Sequence, residues 1–303
     1  MTAKIPTRFT NEEAARKHLE GIQWPNGPVC PHCAAEGRGS RIEGGRPGLL
    51  FCGACRKQYT VTVGTVFERS KVPLHIWLYC NHLICSSKKG ISSHQLARML
   101  GVTYKTAWFM AHRIREAMAP SGSEEPMGGE GEIVEIDETY IGRKPREAKK
   151  RGFGHKHMVV ALVQRGGAVR SFHVQGPINK AKARKTLVAN VDIASDIVTD
   201  DHVAYPGAAA IFGQHSTVNH TAGEYVRGDI HTNTIEGVFS VFKRGMIGTY
   251  QHCGEQHLQR YLNEFDFRYS NRVKLGIDDA CRADIALQGI VGKRLTYRRS
   301  SKA

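Results

Sequence analysis

Two cysteine pairs, Cys30-Pro-His-Cys33 and Cys52-Gly-Ala-Cys55, constrain this chain more than any other feature. Two Cys-x-x-Cys turns with 18 residues between Cys33 and Cys52 can offer four thiolates to one Zn²⁺ ion. Four thiolates leave no open coordination position, so the expected zinc is structural. It substitutes for a core that a short Gly-rich segment cannot build, and the resulting knuckle can present Arg56 and Lys57 to a phosphate backbone or to solvent. The remaining Cys80, Cys85, Cys253 and Cys281 form no second pair at ligand spacing and read as buried small hydrophobes.

A disulfide reading of these cysteines requires a secreted chain. MTAKIPTRFTNEEAARKHLE contains no apolar core of signal-peptide length, and no later stretch approaches 18 uninterrupted apolar residues. The expectation is a cytoplasmic protein with no membrane partner. Across 303 residues, 43 Lys and Arg against 28 Asp and Glu leave a formal charge of +15, which points to nucleic acid.

Thr10 stands three residues before Glu13 in capping-box register and predicts a helix over EEAARKHLE. YTVTV at 59–63 reads as a strand, and PLHIWLYCNHLICS as a mostly buried helix. In SSHQLARMLGVTYKTAWFMAHRIREA, two apolar helical patterns flank Gly101-Val102-Thr103, the arrangement of a helix-turn-helix. Tyr104, Lys105 and Thr106 would open its recognition helix, with Arg113 on a later turn. APSGSEEPMGGEGE then marks a linker.

Beyond it, GEIVEIDETYIG reads as a strand and HMVVALVQRGGAVRSFHVQG as two strands around an Arg-Gly-Gly turn. NKAKARKTLVANV reads as a helix and DIVTDD as another strand, with two further helices over HTNTIEGVFSVFKRGMIG and GEQHLQRYLNEFDFRYSNRV. This order suggests a mixed α/β domain. The basic run GRKPREAKKRG at 142–152 is expected to lie along DNA, and the tail GKRLTYRRSSKA lacks an apolar face.

Asp137 ends the apolar run IVEI, Asp200 ends IVT, and Glu236 sits early in a helix starting near Asn233. Two carboxylates at strand ends and a third on a helix can converge as hard oxygen ligands for Mg²⁺. Asp137 and Asp200 are 63 positions apart, and 35 residues separate Asp200 from Glu236.

WPNGPVCPHC, CGACRKQYTVTVGTVFERSKVPLHIW, EIDETYIGRK and HTNTIEGVFSVFKRGMIGTYQHCGEQHLQRYLNEFDFRYSNR together resemble bacterial insertion-sequence transposases that carry an N-terminal zinc ribbon and an RNase H-like DDE catalytic domain. The resemblance runs through nearly the whole chain. It implies a short helix plus zinc ribbon over 1–66, a helix-turn-helix region over 67–119, a linker over 120–130, an α/β RNase H-like (retroviral integrase-like) domain over 131–285 and a basic tail over 286–303. It further implies metal-dependent cleavage and strand transfer at transposon ends, with Asp137 bridging two Mg²⁺ ions, or Mn²⁺ in their place, and Asp200 and Glu236 holding one each. Asp201 adjoins Asp200 as an alternative ligand, and Asn233 stands beside or instead of Glu236. Lys243, seven positions after Glu236 on the same helix face, would contact DNA phosphate, with Arg244 beside it. The implied partners are double-stranded DNA, as terminal inverted repeats and target, and further copies of the chain in a homodimer or higher oligomer. A DNA-binding regulator with an inactive catalytic domain and an RNase H-fold nuclease without joining activity are the rival functions.

Overall fold

The computed structural model describes residues 5–144, 153–219, 223 and 226–296. They fall into two compact units. The first holds the chain through Ser87, then Ile91–Ala119, then the chain from Asp278; the second holds Lys88–Gly90 and Pro120–Ile277.

The first unit opens with α1 (Glu12–Gln23), capped by Asn11, whose side chain accepts the Ala14 N–H at 2.9 Å. The predicted cap, Thr10, stands one residue too early: a 3₁₀ turn over Thr7–Phe9 precedes it, and its hydroxyl bonds Thr7 O instead. Strands β1 (Gly39–Arg41), β2 (Leu50–Cys52) and β3 (Gln58–Tyr59) form an antiparallel sheet. At Gly39 a Cβ would stand 2.2 Å from the Tyr59 hydroxyl oxygen, so any larger residue must displace that ring. The strand expected over 59–63 ends at Tyr59. Thr60 and Thr62 bond each other at 3.0 Å and the Thr65 hydroxyl takes Thr62 O at 2.7 Å, so local hydroxyl bonds replace the ladder.

Helix α2 (Leu74–Ser86) buries Trp77, Leu78, Cys80, Ile84 and Cys85. Helix α3 (Ser93–Leu100) stops at Gly101 in left-handed conformation (φ 65°), and α4 (Tyr104–Ala117) starts at Thr103, whose hydroxyl accepts the Thr106 N–H. The same unit contains α9 (Asp279–Gln288), although the sequence reading ran the preceding domain to residue 285. The Asn81 amide donates to Ala283 O at 2.8 Å, and the Arg282 guanidinium to Cys85 O at 3.0 Å. The expected basic tail, 286–303, opens inside this unit. Leu287 and Ile290 are buried, and Ile290 O accepts the Val66 N–H at 3.1 Å. Residues 297–303 lie outside the described residues. Of the four cysteines expected to be buried, Cys80 and Cys85 are, whereas Cys253 is half-buried and Cys281, in the first turn of α9, is exposed.

The second unit is built on a five-stranded sheet of order β6-β5-β4-β7-β8, from β4 (Ile133–Ile141), β5 (His157–Gln164), β6 (Val169–Val174), β7 (Asp196–Asp200) and β8 (Gln214–Val218). β4, β5 and β6 are antiparallel neighbours; β7 runs parallel to β4, and β8 parallel to β7. Two helices complete the crossovers, α5 (Lys180–Asn190) between β6 and β7 and α6 (Pro206–Ala209) between β7 and β8. β8 escaped the sequence reading because QHSTV is polar and short. Val134, Ile136, Val160, Leu162 and Ile197 pack with Leu187 and Tyr205 on one face. On the other, Val159, Ala161 and Val163 pack with Phe239, Phe242 and Phe265 of α7 (Asn233–Gly245) and α8 (Leu258–Ser270). The interior strand β5, between β6 and β4, is therefore apolar on both faces, as a covered strand must be. Within the expected linker 120–130, Met127 is buried and its N–H bonds Asn190 O at 2.8 Å, so that stretch joins the second unit.

Leu287 is 2 % exposed. Leu287→Ala is expected to cost the first unit about 2–5 kcal/mol. A denaturant melt should shift that unit's transition and leave the transition of the sheet unit in place.

Candidate functional site

Two chemical centres can be built from these elements. In the first unit the two Cys-x-x-Cys turns are near copies. Ala34 N–H bonds Cys30 O at 2.8 Å and Arg56 N–H bonds Cys52 O at 2.8 Å; the residue after each turn is left-handed, Ala34 at φ 57° and Arg56 at φ 58°. The turns bring Cys30 Sγ to 3.7 Å from Cys55 Sγ and Cys33 Sγ to 3.7 Å from Cys52 Sγ, with all four sulfurs within 4.8 Å of one another. A ZnS₄ tetrahedron with bonds of about 2.3 Å has edges of about 3.8 Å, so these residues fit structural zinc. Among these crowded thiols the Cys55 and Ala54 backbone N–H groups pull that of Cys52 down to about 7, whereas, against the Ala35 N–H, burial and the neighbouring thiols push that of Cys33 up to about 12. Arg56 and Lys57 stand exposed on the second knuckle.

The second centre lies on the α7–α8 face of the large sheet. Asp137 pairs with Ala161, whose side chain packs under α7, and Glu135 pairs with Val198, two residues before Asp200 in β7. By strand alternation Glu135, Asp137, Val198 and Asp200 all project to that face. Burial, then the charges of Asp200 and Glu138 and finally that of Glu236, push the Asp137 carboxyl up to about 8; the Glu138 N–H, bonded to Asp137 Oδ1 at 2.7 Å, partly offsets this. Asp200 and Glu236 thus both lie within electrostatic reach of Asp137. The three do not all come within 4.8 Å, as one shared ion would require. A pair of ions about 3.5–4 Å apart spans a wider gap. Asp200 is half-buried and its Oδ1 accepts the His202 N–H at 3.1 Å, while Asp201 is exposed in the following bend.

Glu236 is carried by α7, and sequence reasoning missed what holds that helix. Glu135 is fully buried; its Oε2 accepts the Ile235 N–H at 2.9 Å and its Oε1 accepts from Arg165 Nε at 2.7 Å. Thr232, at the N-cap position, makes no side-chain cap, and its hydroxyl donates to Glu236 Oε1 at 3.3 Å. A strand carboxylate therefore satisfies the helix terminus that a capping side chain ordinarily would. Arg165, from the turn between β5 and β6, also donates to His231 O at 2.7 Å and so fixes the approach to α7. A charged residue inside IVEI was the available signal. A second missed group is Glu138, whose carboxyl is raised above its ordinary value chiefly by burial, and which the Tyr205 hydroxyl contacts as donor.

Asn233 and Glu236 are exposed on the first turns of α7; Lys243 is half-buried two turns on, and Arg244 is exposed with its Nε on Ser240 O. At the start of α4, Tyr104 and Lys105 are exposed and Thr106 is half-buried. Arg113 departs from the expected DNA-facing position. It is 6 % exposed, donates to Glu68 O and Leu295 O, and lies over the Trp77 and Phe109 rings, so its charge is spent inside the first unit. Of the basic run 142–152, residues 145–152 lie outside the described residues.

The folded, metal-free protein retains on Asp137 a proton that the unfolded chain releases near 3.8. Its stability should therefore fall as pH rises from about 4 and level off above about 8. Asp137→Asn should remove that fall, with a melting advantage over the parent that grows to a few kcal/mol by pH 8 and vanishes near pH 4. Glu135→Ala, which leaves the Ile235 N–H and Arg165 Nε without their carboxylate, is expected to cost about 1–3 kcal/mol by chemical denaturation.

Residues 129–270 match the family model of an ISXO2-like transposase domain, and residues 10–58 match a transposase zinc-ribbon domain. A protein of Halobacterium salinarum, described as an uncharacterized protein in transposable element ISH50, is 30 % identical over 280 residues, covering 86 % of this chain and 91 % of that protein. The four clustered sulfurs coincide with the zinc-ribbon match and the carboxylate-bearing sheet with the transposase match. No helix among the described residues is long and apolar enough to cross a membrane. The chain belongs to the insertion-sequence transposases that carry an N-terminal zinc ribbon.

Proposed function

We propose that this transposase cleaves DNA at the ends of its element and joins the freed 3′ ends to target DNA, using a DDE active site on an RNase H-like domain. The observation that supports the reading is Asp137, on the α7-covered side of the sheet, pushed up to about 8 by burial, by Asp200 and Glu138, and by Glu236. The sheet order supports it: three antiparallel strands, then two parallel ones beside the first, with α7 and α8 covering one face.

Asp137, Asp200 and Glu236 would hold two Mg²⁺ ions, or Mn²⁺ in their place, with Asn233 supporting beside Glu236. When bound, such ions lower the pKa of the attacking water and stabilise the leaving 3′ oxygen. The water oxygen bonds phosphorus as the P–O3′ bond breaks, and the 3′ oxygen leaves as a hydroxyl. That hydroxyl then attacks a target phosphodiester in the same way, so no covalent enzyme intermediate is needed. Lys243 and Arg244, two turns along α7 from Glu236, would hold the DNA backbone beside the reacting phosphate.

Helices α3 and α4, joined through Gly101 and Thr103, would act as a helix-turn-helix, with Tyr104, Lys105 and Thr106 at the leading turn for base and phosphate contacts. Arg56 and Lys57 on the ribbon knuckle would add phosphate contacts. Joining two ends to one target calls for a homodimer or higher oligomer on DNA.

Incubation with Mg²⁺, labelled end DNA and a target plasmid tests the reading. Joined product is expected, with Asp137→Asn lowering its yield by about 1,000-fold or more. Cleavage without joining would instead mark a nuclease, and unchanged cellular effects in Asp137→Asn a DNA-binding regulator.

A further inference from the structure

The second unit contains a group of ligating side chains that neither the zinc ribbon nor the carboxylate centre uses. β5–β6 pairing sets Val159 opposite His173. His157, two residues before Val159, therefore faces the same side and lies diagonal to His173, across a separation long side chains bridge. The two imidazole rings stand edge to face with centroids 5.4 Å apart. Glu255 joins them from the 3₁₀ turn Glu255–His257, which leads into α8.

We propose that His157, His173 and Glu255 form a second metal site, for a borderline divalent cation such as zinc. His157 is 4 % exposed and its Nδ1 has no hydrogen-bond partner among the described residues, although it faces Glu255 Oε1 at 3.8 Å. His173 Nε2 stands 3.8 Å from the same oxygen, and one ligand atom from each of the three residues lies within 4.8 Å of the others. Separations of 3.8 Å are too long for hydrogen bonds. An ion bound at about 2.0–2.1 Å holds neighbouring ligand atoms about 3.3 Å apart, so a closure of a few tenths of an ångström completes the site. Two imidazoles and one carboxylate suit zinc-like ions better than Mg²⁺, which takes oxygen ligands. Gln175 Nε2 donates to Glu255 Oε1 at 2.7 Å and orients the carboxylate, as outer partners of metal ligands do.

Three ligands leave a position for water or a fourth group. The three segments joined are the start of β5, the end of β6 and the chain that follows α7 and its π turn (Met246–Tyr250). A bound ion would clasp the exit of the Lys243-bearing helix to the sheet. The proposal does not depend on the DDE reading, since none of its ligands belongs to the carboxylate trio.

The test uses the full-length protein in the Asp137→Asn background, with the ribbon metal in place and excess Mg²⁺ present, titrated with Co²⁺ by absorbance and calorimetry. One equivalent should bind with visible d–d bands and without the near-ultraviolet bands of thiolate ligation. His173→Asn and Glu255→Gln, chosen because both side chains are partly exposed, should each weaken that binding by about 100-fold or more and leave the ribbon zinc content unchanged. Absence of this equivalent, thiolate bands alone, or binding that persists in either folded variant would overturn the proposal. The unsubstituted triad decides the matter even if a variant fails to fold.

Discussion

The carboxylate of Glu135 ties the sheet of the second unit to the helix that carries Glu236. Burying a lone charge is costly, and it persists only where hydrogen bonds and an opposite charge compensate. Glu135 has both: the Ile235 N–H at 2.9 Å and Arg165 Nε at 2.7 Å. It also sits at the positive end of α7. The apolar contacts of Ile235, Val238 and Phe239 bury the helix but set its position along the sheet less sharply, because apolar contact is not directional. One directed bond at the first turn sets the register, and the rigid helix transmits it to Glu236 one residue on and to Lys243 two turns on. At the far end Gly245 permits close packing, since a Cβ there would meet the Phe265 ring at 2.4 Å and Lys89 O at 2.6 Å.

With its helix so fixed, the unit accepts a local electrostatic cost. Asp137 is surrounded by Asp200, Glu138 and Glu236, and burial raises its carboxyl further. A fold selected for stability alone would disperse these acids. Conflict between local chemistry and global packing is expected where function resides, and divalent cations would relieve it. The four cysteines show the opposite economy. Their two short turns assemble a tetrahedron locally, and Trp24 and Tyr59 pack around it as a small satellite core.

The return of α9 to the first unit illustrates how tertiary structure redraws domains. Helix α9 lies against α1 and α2, Leu287 and Ile290 are buried, and Arg282 and Asn81 exchange bonds with backbone carbonyls across about 200 residues of chain. A linear reading places a boundary where composition changes, whereas burial places it where apolar faces meet. Arg113 is the same lesson at one residue: an arginine late in a basic helix looks like a phosphate contact until Trp77, Phe109 and two carbonyls enclose it.

What could be read without coordinates was what local geometry dictates. The Cys-x-x-Cys spacing defines its own turns, the β-branched apolar runs of β4 and β5 mark covered strands, the helical periods of α2, α7 and α8 follow from side-chain direction, and the carboxylates stood out as charges ending apolar runs. Short polar β8, the shortened β3 and the cap at Asn11 were missed because weak local preferences yield to neighbouring hydrogen bonds. The anchoring role of Glu135, the enclosure of Arg113, the diagonal meeting of His157 with His173 and the arrival of Glu255 arise only when distant segments pair. Sequence alone determined the ligand types and the elements that carry them. Tertiary structure decided which of those side chains meet, because strand register and helix docking set distances that no spacing along the chain encodes.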